Sequence, residues 1–196
     1  MKTTRIAEVR RQTAETKIEL SLDLDGSGQS TIRTGIGFFD HMLTALAKHA
    51  RWNLQLHCQG DLEVDDHHTV EDCGLALGAA LDQALSDRRG IARFAHAYAP
   101  LDEALVRSVI DLSGRGGAWV ELPLGRESIG SLSCENIPHF FRSLASTARL
   151  TLHLDLIRGE NAHHIAEAAF KSFALAIRSA TALDGSEAIP STKGTL

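Results

Sequence analysis

The stretch FDHMLTALAKHARWNLQLH, residues 39–57, recurs as IPHFFRSLASTARLTLHLD, residues 137–155. At one constant offset His41 falls on His139, Leu46 on Leu144, Ala47 on Ala145, Ala50 on Ala148, Arg51 on Arg149 and Leu54 on Leu152. A change of two residues in the offset then lays His67, His68 and Glu71 over His163, His164 and Glu167, and Leu77, Ala80 and Leu81 over Phe173, Ala176 and Ile177. Repetition over this length marks one structural unit used twice. The expected organisation is a single domain over residues 1–196, formed from repeats at about 1–91 and 92–196.

Each repeat reads outward from that stretch in the same order. Two strand-like segments come first, TRIAEVRRQT and TKIELSLDL in one half, EALVRSVIDLS and GGAWVELPL in the other. The alternation Ile18, Leu20, Leu22, Leu24 is the period-two signal of a half-buried strand. A helix follows, with Phe38, Met42, Ala45, Leu46 and His49 at helical spacing, then the strand WNLQLHC or LTLHLDL. A long helix closes each half, at 66–86 and 161–182. Asp65 or Asp66 and Asn161 stand where N-caps belong, after turns at Gly60 and Gly159. Segment 92–99 reads as an extra strand opening the second half. Two β-β-α-β-α halves give an α+β protein. Its helices are expected as layers between two mostly four-stranded sheets.

Composition narrows the function. The 196 residues are 43% hydrophobic and 23% charged, enough to bury a core. The net charge of −5 gives no support to a nucleic-acid partner, so any bound anion needs a local Lys and Arg cluster. Cys58, Cys73 and Cys134 have no CxxC spacing and read as reduced thiols. The start MKTTRIAEVRRQT lacks the apolar run of a signal peptide, and no stretch is long and apolar enough for a membrane span. A cytoplasmic protein with no membrane partner is expected.

Ten histidines are unusual for this length, and six of them fall in four short clusters: His41, His67-His68, His139 and His163-His164. In His-His-x-x-Glu at a helix start, His67 and Glu71 share a face, and His68 also approaches Glu71. Adjacent imidazoles point about 100° apart around a helix. One such helix therefore aims its two imidazoles at two different ions, not one. A single HHTVE also describes a solvated first turn. The second copy, HHIAE, with a lone His upstream of each, points to metal binding. Six His and two Glu divide as three His and one Glu for each of two ions, leaving open positions on a six-coordinate metal, the mark of a catalytic site. Ligand type leaves Zn, Fe, Co, Ni and Mn all open.

For an anion, Lys193 lies among small hydroxyl residues in IPSTKGTL, Arg115 sits in SGRGG, and Arg93 and Lys171 are further candidates. Lys171 is one turn beyond Glu167, near the metal ligands. Taken singly, each also fits a surface charge, and the tail a frayed terminus. His57, His96 and His153 stand outside the repeated clusters as ordinary strand or surface residues, and Trp52 and Trp119 as core or interface.

With these residues assembled, the chain resembles the imidazoleglycerol-phosphate dehydratases. The resemblance runs in order through RxTxET (11–16), GIGFFDHML (35–43), DDHHTVED (65–72), ENIPHFF (135–141), ENAHHIAEAAFK (160–171) and PSTKGTL (190–196). It implies a fold like the second domain of ribosomal protein S5. It also implies a carbon–oxygen lyase that dehydrates imidazoleglycerol phosphate to imidazoleacetol phosphate in histidine biosynthesis. The implied course runs through an imidazolate and a diazafulvene-type species. The implied cofactor is Mn²⁺, two ions per active site, on His41, His67, His68, Glu71, His139, His163, His164 and Glu167. Glu15 is implied as the acid-base and substrate-contacting residue. His49, Arg93, Arg115, Lys171, Ser191, Thr192 and Lys193 are implied to hold the phosphorylated imidazole substrate. The implied assembly is a 24-chain homo-oligomer with active sites between subunits. The chain has no room for the phosphatase domain fused to this enzyme in some bacteria, so a monofunctional form is expected. Two rivals remain open at this point. A dinuclear metallohydrolase would need metals about 3.5–4 Å apart. A structural or metal-storing cage would leave Glu15 and the basic residues without a role.

Overall fold

The computed structural model describes residues 4–196. Its first half runs β1 (Ile6–Gln12), β2 (Thr16–Asp23), β3 (Ser30–Arg33), α1 (Gly37–Ala50), β4 (Asn53–Gly60) and α2 (His67–Leu85). The second half runs β5 (Phe94–Leu101), β6 (Ala104–Asp111), β7 (Gly117–Glu121), the small hairpin β8 (Ser128–Ile129) and β9 (Leu132–Ser133), α3 (Asn136–Thr147), β10 (Thr151–Arg158) and α4 (Ala162–Ala180). The two large sheets have the same order, β1-β2-β4-β3 and β5-β6-β10-β7. In both, the last strand pairs parallel to its neighbour and the others antiparallel. The duplicated α+β architecture with two four-stranded sheets is thus present.

The fourth strand of each sheet comes from a place the sequence marks poorly. β3 is only STIR, with no buried residue and no alternating apolar run. The segment read as an extra strand at 92–99 becomes β5, which holds the place of β1 in the second sheet. β6 and β7 then match β2 and β3, so each half contributes three strands to its large sheet before its first helix.

Alternation decides which face of each sheet is covered. Thr16, Ile18, Leu20 and Leu22 of β2 are buried while the residues between them face outward. Leu54, Leu56 and Cys58 of β4, and Leu152 and Leu154 of β10, do the same. All four helices lie between the sheets in one continuous apolar core. Phe39 on α1 meets Phe140 on α3 with ring centroids 5.3 Å apart. Phe140 and Phe141 meet Phe170 and Phe173 on α4. Arg51 and Arg149, aligned by the repeat, both take left-handed backbone just after a helix, at φ 61° and 50°. The three cysteines are buried and free. No described helix is long and apolar enough to cross a membrane.

The helices pair across the repeat: α2 packs on α3, and α1 on α4. α2 and α3 come close because Gly74 and Gly78 carry no side chain. A Cβ at Gly78 would meet the backbone carbonyl of Leu144 and lie 2.9 Å from Ala148 N. Backbone cannot swing aside as a side-chain tip can. Gly→Ala inside a helix normally stabilises by about 1 kcal/mol. Here the overlap outweighs that gain, and Gly78→Ala is expected to cost about 1–3 kcal/mol, as overpacked cores do. Urea unfolding of the metal-free chain measures it; an unchanged or raised midpoint would refute the close approach.

Candidate metal centre

Both His-His pairs sit in the first turn of a long helix, held by caps. Asn161 Oδ1 accepts the backbone N–H groups of His163 and His164, at 2.9 and 3.4 Å. Asp65 Oδ1 accepts from His67 N at 2.7 Å. Asp66 makes no such cap; its carboxylate reaches Ser133 N at 2.6 Å and Ser133 Oγ at 2.7 Å, tying the start of α2 to β9. Burial alone would push the Asp66 carboxyl up, but these bonds hold it below its ordinary value.

Helix pairing across the repeat assembles two ligand groups. His41 on α1 joins His163 and Glu167 on α4, and His139 on α3 joins His67 and Glu71 on α2. Within each group one ligand atom from every residue lies within 4.8 Å of the others. The Nε2 atoms of His41 and His163 are both 3.4 Å from Glu167 Oε2, and His139 Nε2 is 3.1 Å from Glu71 Oε1. The His67 and His139 rings stack at 4.7 Å. Donors about 2.0–2.2 Å from a shared ion lie at most about 4.4 Å apart; the His–Glu contacts of 3.1–3.4 Å fall inside that limit and the 4.8 Å bound lies just beyond it, so each group could close on one cation with a small side-chain shift. Two imidazoles and a carboxylate, without sulfur, suit a divalent first-row metal.

His68 and His164 stay out of both groups. Adjacency on a helix sends them off about 100° around the axis from His67 and His163, and the neighbouring ring centroids lie 5.9 and 6.0 Å apart. His68 Nδ1 is 3.0 Å from Asp61 Oδ2, and its Nε2 is 3.6 Å from Glu15 Oε1. His164 Nδ1 is 2.7 Å from Glu103 Oε2, and its Nε2 is 3.7 Å from Asp102 Oδ2. The Asp61 and Glu103 hydrogen bonds raise the two imidazoles above their ordinary value. The bond from His164 takes the Glu103 carboxyl down to about 2. One chain therefore supplies two His and one Glu per group, not the three His and one Glu of the sequence count; the remaining two imidazoles face elsewhere. Asp61, Glu103 and Asn136, whose Oδ1 is 3.1 Å from His67 Nδ1, went unnoticed in the sequence because nothing in the repeat marks them.

Glu15 lies at the tip of the β1–β2 hairpin, with its side chain half exposed. Thr13 Oγ1 accepts the N–H groups of Glu15 and Thr16 at 3.1 and 3.0 Å. Arg11 and Thr16 flank the tip, and both donate to the buried Asp72 carboxylate on α2, Arg11 at 2.8 Å. The RxTxET segment is thereby pinned to the helix that carries Glu71.

The expected anion-binding residues separate into two places. Lys171 Nζ is 2.6 Å from Glu167 Oε1, beside the first ligand group. Burial pushes Glu167 up, yet the Lys171 bond and charge with His41 leave it below its ordinary value. His49 also neighbours Lys171, and burial together with that charge lowers it. Arg93 is already occupied. Its guanidinium binds Asp111 at 2.8 Å and donates to Pro190 O at 2.7 Å, anchoring the tail. Ser191 Oγ accepts Lys193 N at 3.2 Å, while Thr192 and Lys193 are exposed. Leu196 returns to Gly114, its carbonyl oxygen 3.2 Å from a Cβ built there, which sets the tail beside exposed Arg115. Arg93 N donates to Ala180 O at the far end of α4. At 1.5 Å per residue, that end is about 20 Å along the helix from Glu167. Arg93, Arg115 and the tail thus gather together, away from this chain's own ligand groups. His57, His96 and His153 are exposed strand residues; Trp52 is fully buried, and Trp119 stacks on His153 at the surface.

Known proteins resemble this chain in sequence and in fold. The family model described as imidazoleglycerol-phosphate dehydratase matches residues 34–177. A protein of that name from Phytophthora nicotianae is 56% identical over 192 residues, covering 98% of this chain and 42% of its own length. One from Candida glabrata is 54% identical over 97% of this chain and 100% of its own. The crystal structure of the Staphylococcus aureus imidazoleglycerol-phosphate dehydratase superposes with a TM-score of 0.83 at 38% identity, covering 91% of this chain and 99% of that one. The chain belongs to the imidazoleglycerol-phosphate dehydratase family.

Proposed function

We propose that this chain is a carbon–oxygen lyase of histidine biosynthesis that dehydrates imidazoleglycerol phosphate to imidazoleacetol phosphate. The observation that carries the site assignment is the pair of His-His-Glu groups, each drawn from both halves of the chain. In this reading His41, His163 and Glu167 hold one Mn²⁺, and His67, Glu71 and His139 hold another. His68 and His164 complete ions held by neighbouring copies. Two features support active sites between subunits: both imidazoles lie outside the in-chain groups, and the Arg93, Arg115 and tail cluster is far along α4 from Glu167. The assembly is a homo-oligomer, taken as the 24-chain cage that the resemblance implies.

When bound, the ions supply Lewis acidity toward the ring nitrogens and hydroxyl of the substrate. The hydroxyl on the carbon bonded to the ring leaves as water. The neighbouring carbinol carbon gives up its hydrogen as a proton, and the resulting enol becomes the ketone. Glu15, half exposed and 3.6 Å from His68 Nε2, would serve both proton transfers, giving one proton to the departing oxygen and taking one from the carbinol carbon. Arg115, Ser191, Thr192 and Lys193, with the tail fixed by Arg93, grip the phosphate of a substrate seated at a neighbouring copy's ions. Lys171 and His49 face it from beside Glu167. A structural or storage cage assigns no work to Glu15 or to this grip.

Three outcomes test the reading. Chelation is expected to abolish turnover of imidazoleglycerol phosphate and to break the large particle into smaller oligomers in sedimentation velocity. Mn²⁺ restores both. A particle that stays whole with its metal removed would leave the subunits held by protein contacts alone. Next, His68→Ala and His164→Ala are expected to lose bound Mn²⁺ and activity together, because each removes a ligand nitrogen; full metal content with normal turnover would overturn the ligand set. Finally, Arg115→Ala is expected to raise KM about ten-fold or more with metal content unchanged, since a charge-assisted bond to phosphate contributes about 1.5–3 kcal/mol. An unaltered KM would remove Arg115 from the phosphate grip.

A further inference from the structure

We propose that Asp61 and Glu103 are positioning residues that fix the tautomer and the aim of His68 and His164. The inference deepens the metal reading above and rests on it. A neutral imidazole carries one proton on two nitrogens, and a carboxylate can only accept. With Nδ1 of His68 at 3.0 Å from Asp61 and Nδ1 of His164 at 2.7 Å from Glu103, the proton belongs on Nδ1 in both rings. Nε2 keeps its lone pair and points away from that carboxylate; the second carboxylates near it, Glu15 Oε1 at 3.6 Å and Asp102 Oδ2 at 3.7 Å, lie beyond hydrogen-bond range. All the in-chain imidazole contacts to Glu71 and Glu167 also run through Nε2. The outward rings are thus prepared for the same kind of bond as the inward ones.

Both carboxylates are themselves fixed. Glu103 Oε2 takes the ring, while Oε1 accepts the backbone N–H of Asn161 at 2.9 Å and of Glu160 at 3.4 Å. It therefore holds the ring and the residue that caps α4 in one grip. Asp61 Oδ1 is buried without a hydrogen-bond partner, so its carboxylate is committed to the ring through Oδ2. The Asp61 backbone N–H donates to Glu15 O at 3.1 Å, which ties the angle of the His68 ring to the hairpin tip carrying Glu15.

The two carboxylates are not copies of each other. Asp61 follows β4, and Glu103 lies in the β5–β6 turn. The repeat places Gly159 where Asp61 stands in the first half. A histidine–carboxylate pair near the surface contributes little to stability. The two halves nevertheless reach the same Nδ1 contact on the same ring from different elements. A requirement on ring orientation accounts for that convergence; simple duplication does not.

The test uses the whole chain, stripped of metal and titrated with Mn²⁺, with free Mn²⁺ followed by electron paramagnetic resonance. Glu103→Met and Asp61→Leu keep bulk but accept no hydrogen bond. Each is expected to weaken Mn²⁺ binding about 10- to 100-fold, as loss of an outer hydrogen-bond partner of a ligand histidine does. Glu103→Gln and Asp61→Asn retain an acceptor oxygen and are expected to recover most of that loss. Thermal unfolding of each metal-free variant, run alongside, separates this effect from a general weakening of the fold, which acceptor rescue would not reverse. Unaltered affinity in the Met and Leu variants overturns the proposal. So does equal weakness in the Gln and Asn variants. The two sites are read independently, so failure of one variant to fold leaves the other to decide. If the unaltered chain binds no Mn²⁺, the metal reading itself falls, and this proposal falls with it.

Discussion

The pairing of helices across the repeat, α1 on α4 and α2 on α3, is the constraint on which the rest depends. Among the described residues, neither half contains a candidate ligand group of its own. His41 comes from the first half and meets His163 and Glu167 of the second; His139 comes from the second and meets His67 and Glu71 of the first. The spacing within each group follows from how closely two helix backbones approach. At α2 and α3 that approach is set by Gly74 and Gly78 against the backbone of Phe140 and Leu144. The phenylalanine rings between α1, α3 and α4 lock the remaining helices in the same layer. Core packing and ligand geometry are therefore one problem, and a change that separates the helices separates the ligands.

Charge is arranged to suit that packing. The inward carboxylates are partly buried, a position that by itself favours the protonated form. Glu167 is nonetheless kept charged by Lys171 and His41. The outward imidazoles, His68 and His164, lean on carboxylates instead and remain accessible. The chain thus presents two kinds of nitrogen donor: one kind in preformed groups between helices, and one kind at the rim. Both are placed by the same short motif, because adjacency on a helix forces the two rings apart.

Much of this was legible in the residues. The repeat is visible at His41 and His139 and again at the two His-His-x-x-Glu motifs, because identical ligands persist while the apolar residues around them drift. Alternation in β2 marked its buried face correctly; in α1 the helical spacing found Met42, Ala45 and Leu46 but also took Phe38 and His49, which are only half-buried, while Phe39 and Leu43 fill the core. Other features leave no one-dimensional trace. β3 has four residues and no buried side chain, so it carries no periodic signal and is a strand only because β4 offers it a partner. That His41 belongs with Glu167 instead of the nearer Glu71 is a fact of helix packing between halves, which periodicity within a half does not encode. Asp61, Glu103, Asp72 and Asn136 act through contacts distant in sequence, and in isolation each looks like an ordinary polar residue. Arg93 reads as a free cation, yet Asp111 and the carbonyl of Pro190 occupy its guanidinium.

The two ligand groups share a frame but not a field. At the repeat position of Asn136, which bonds His67, stands Phe38, whose ring packs on His163 at 4.9 Å. At the repeat position of Lys171 stands Leu75. One group therefore has an ammonium bonded to its carboxylate and an aromatic wall; the other has an amide and no lysine at that place. A positive charge a few ångströms from a bound cation opposes it, by about 4 kcal/mol for two unit charges 4 Å apart at an effective dielectric of 20, and by about twice that for a divalent ion. The same charge attracts an anion. If the proposed ions and substrate occupy the site, Lys171 would trade cation affinity at the His41 group for affinity toward a negatively charged substrate, a trade that the His139 group would not face. Duplication supplied two equal sets of ligands, and substitution around them has made the two sites electrostatically unequal.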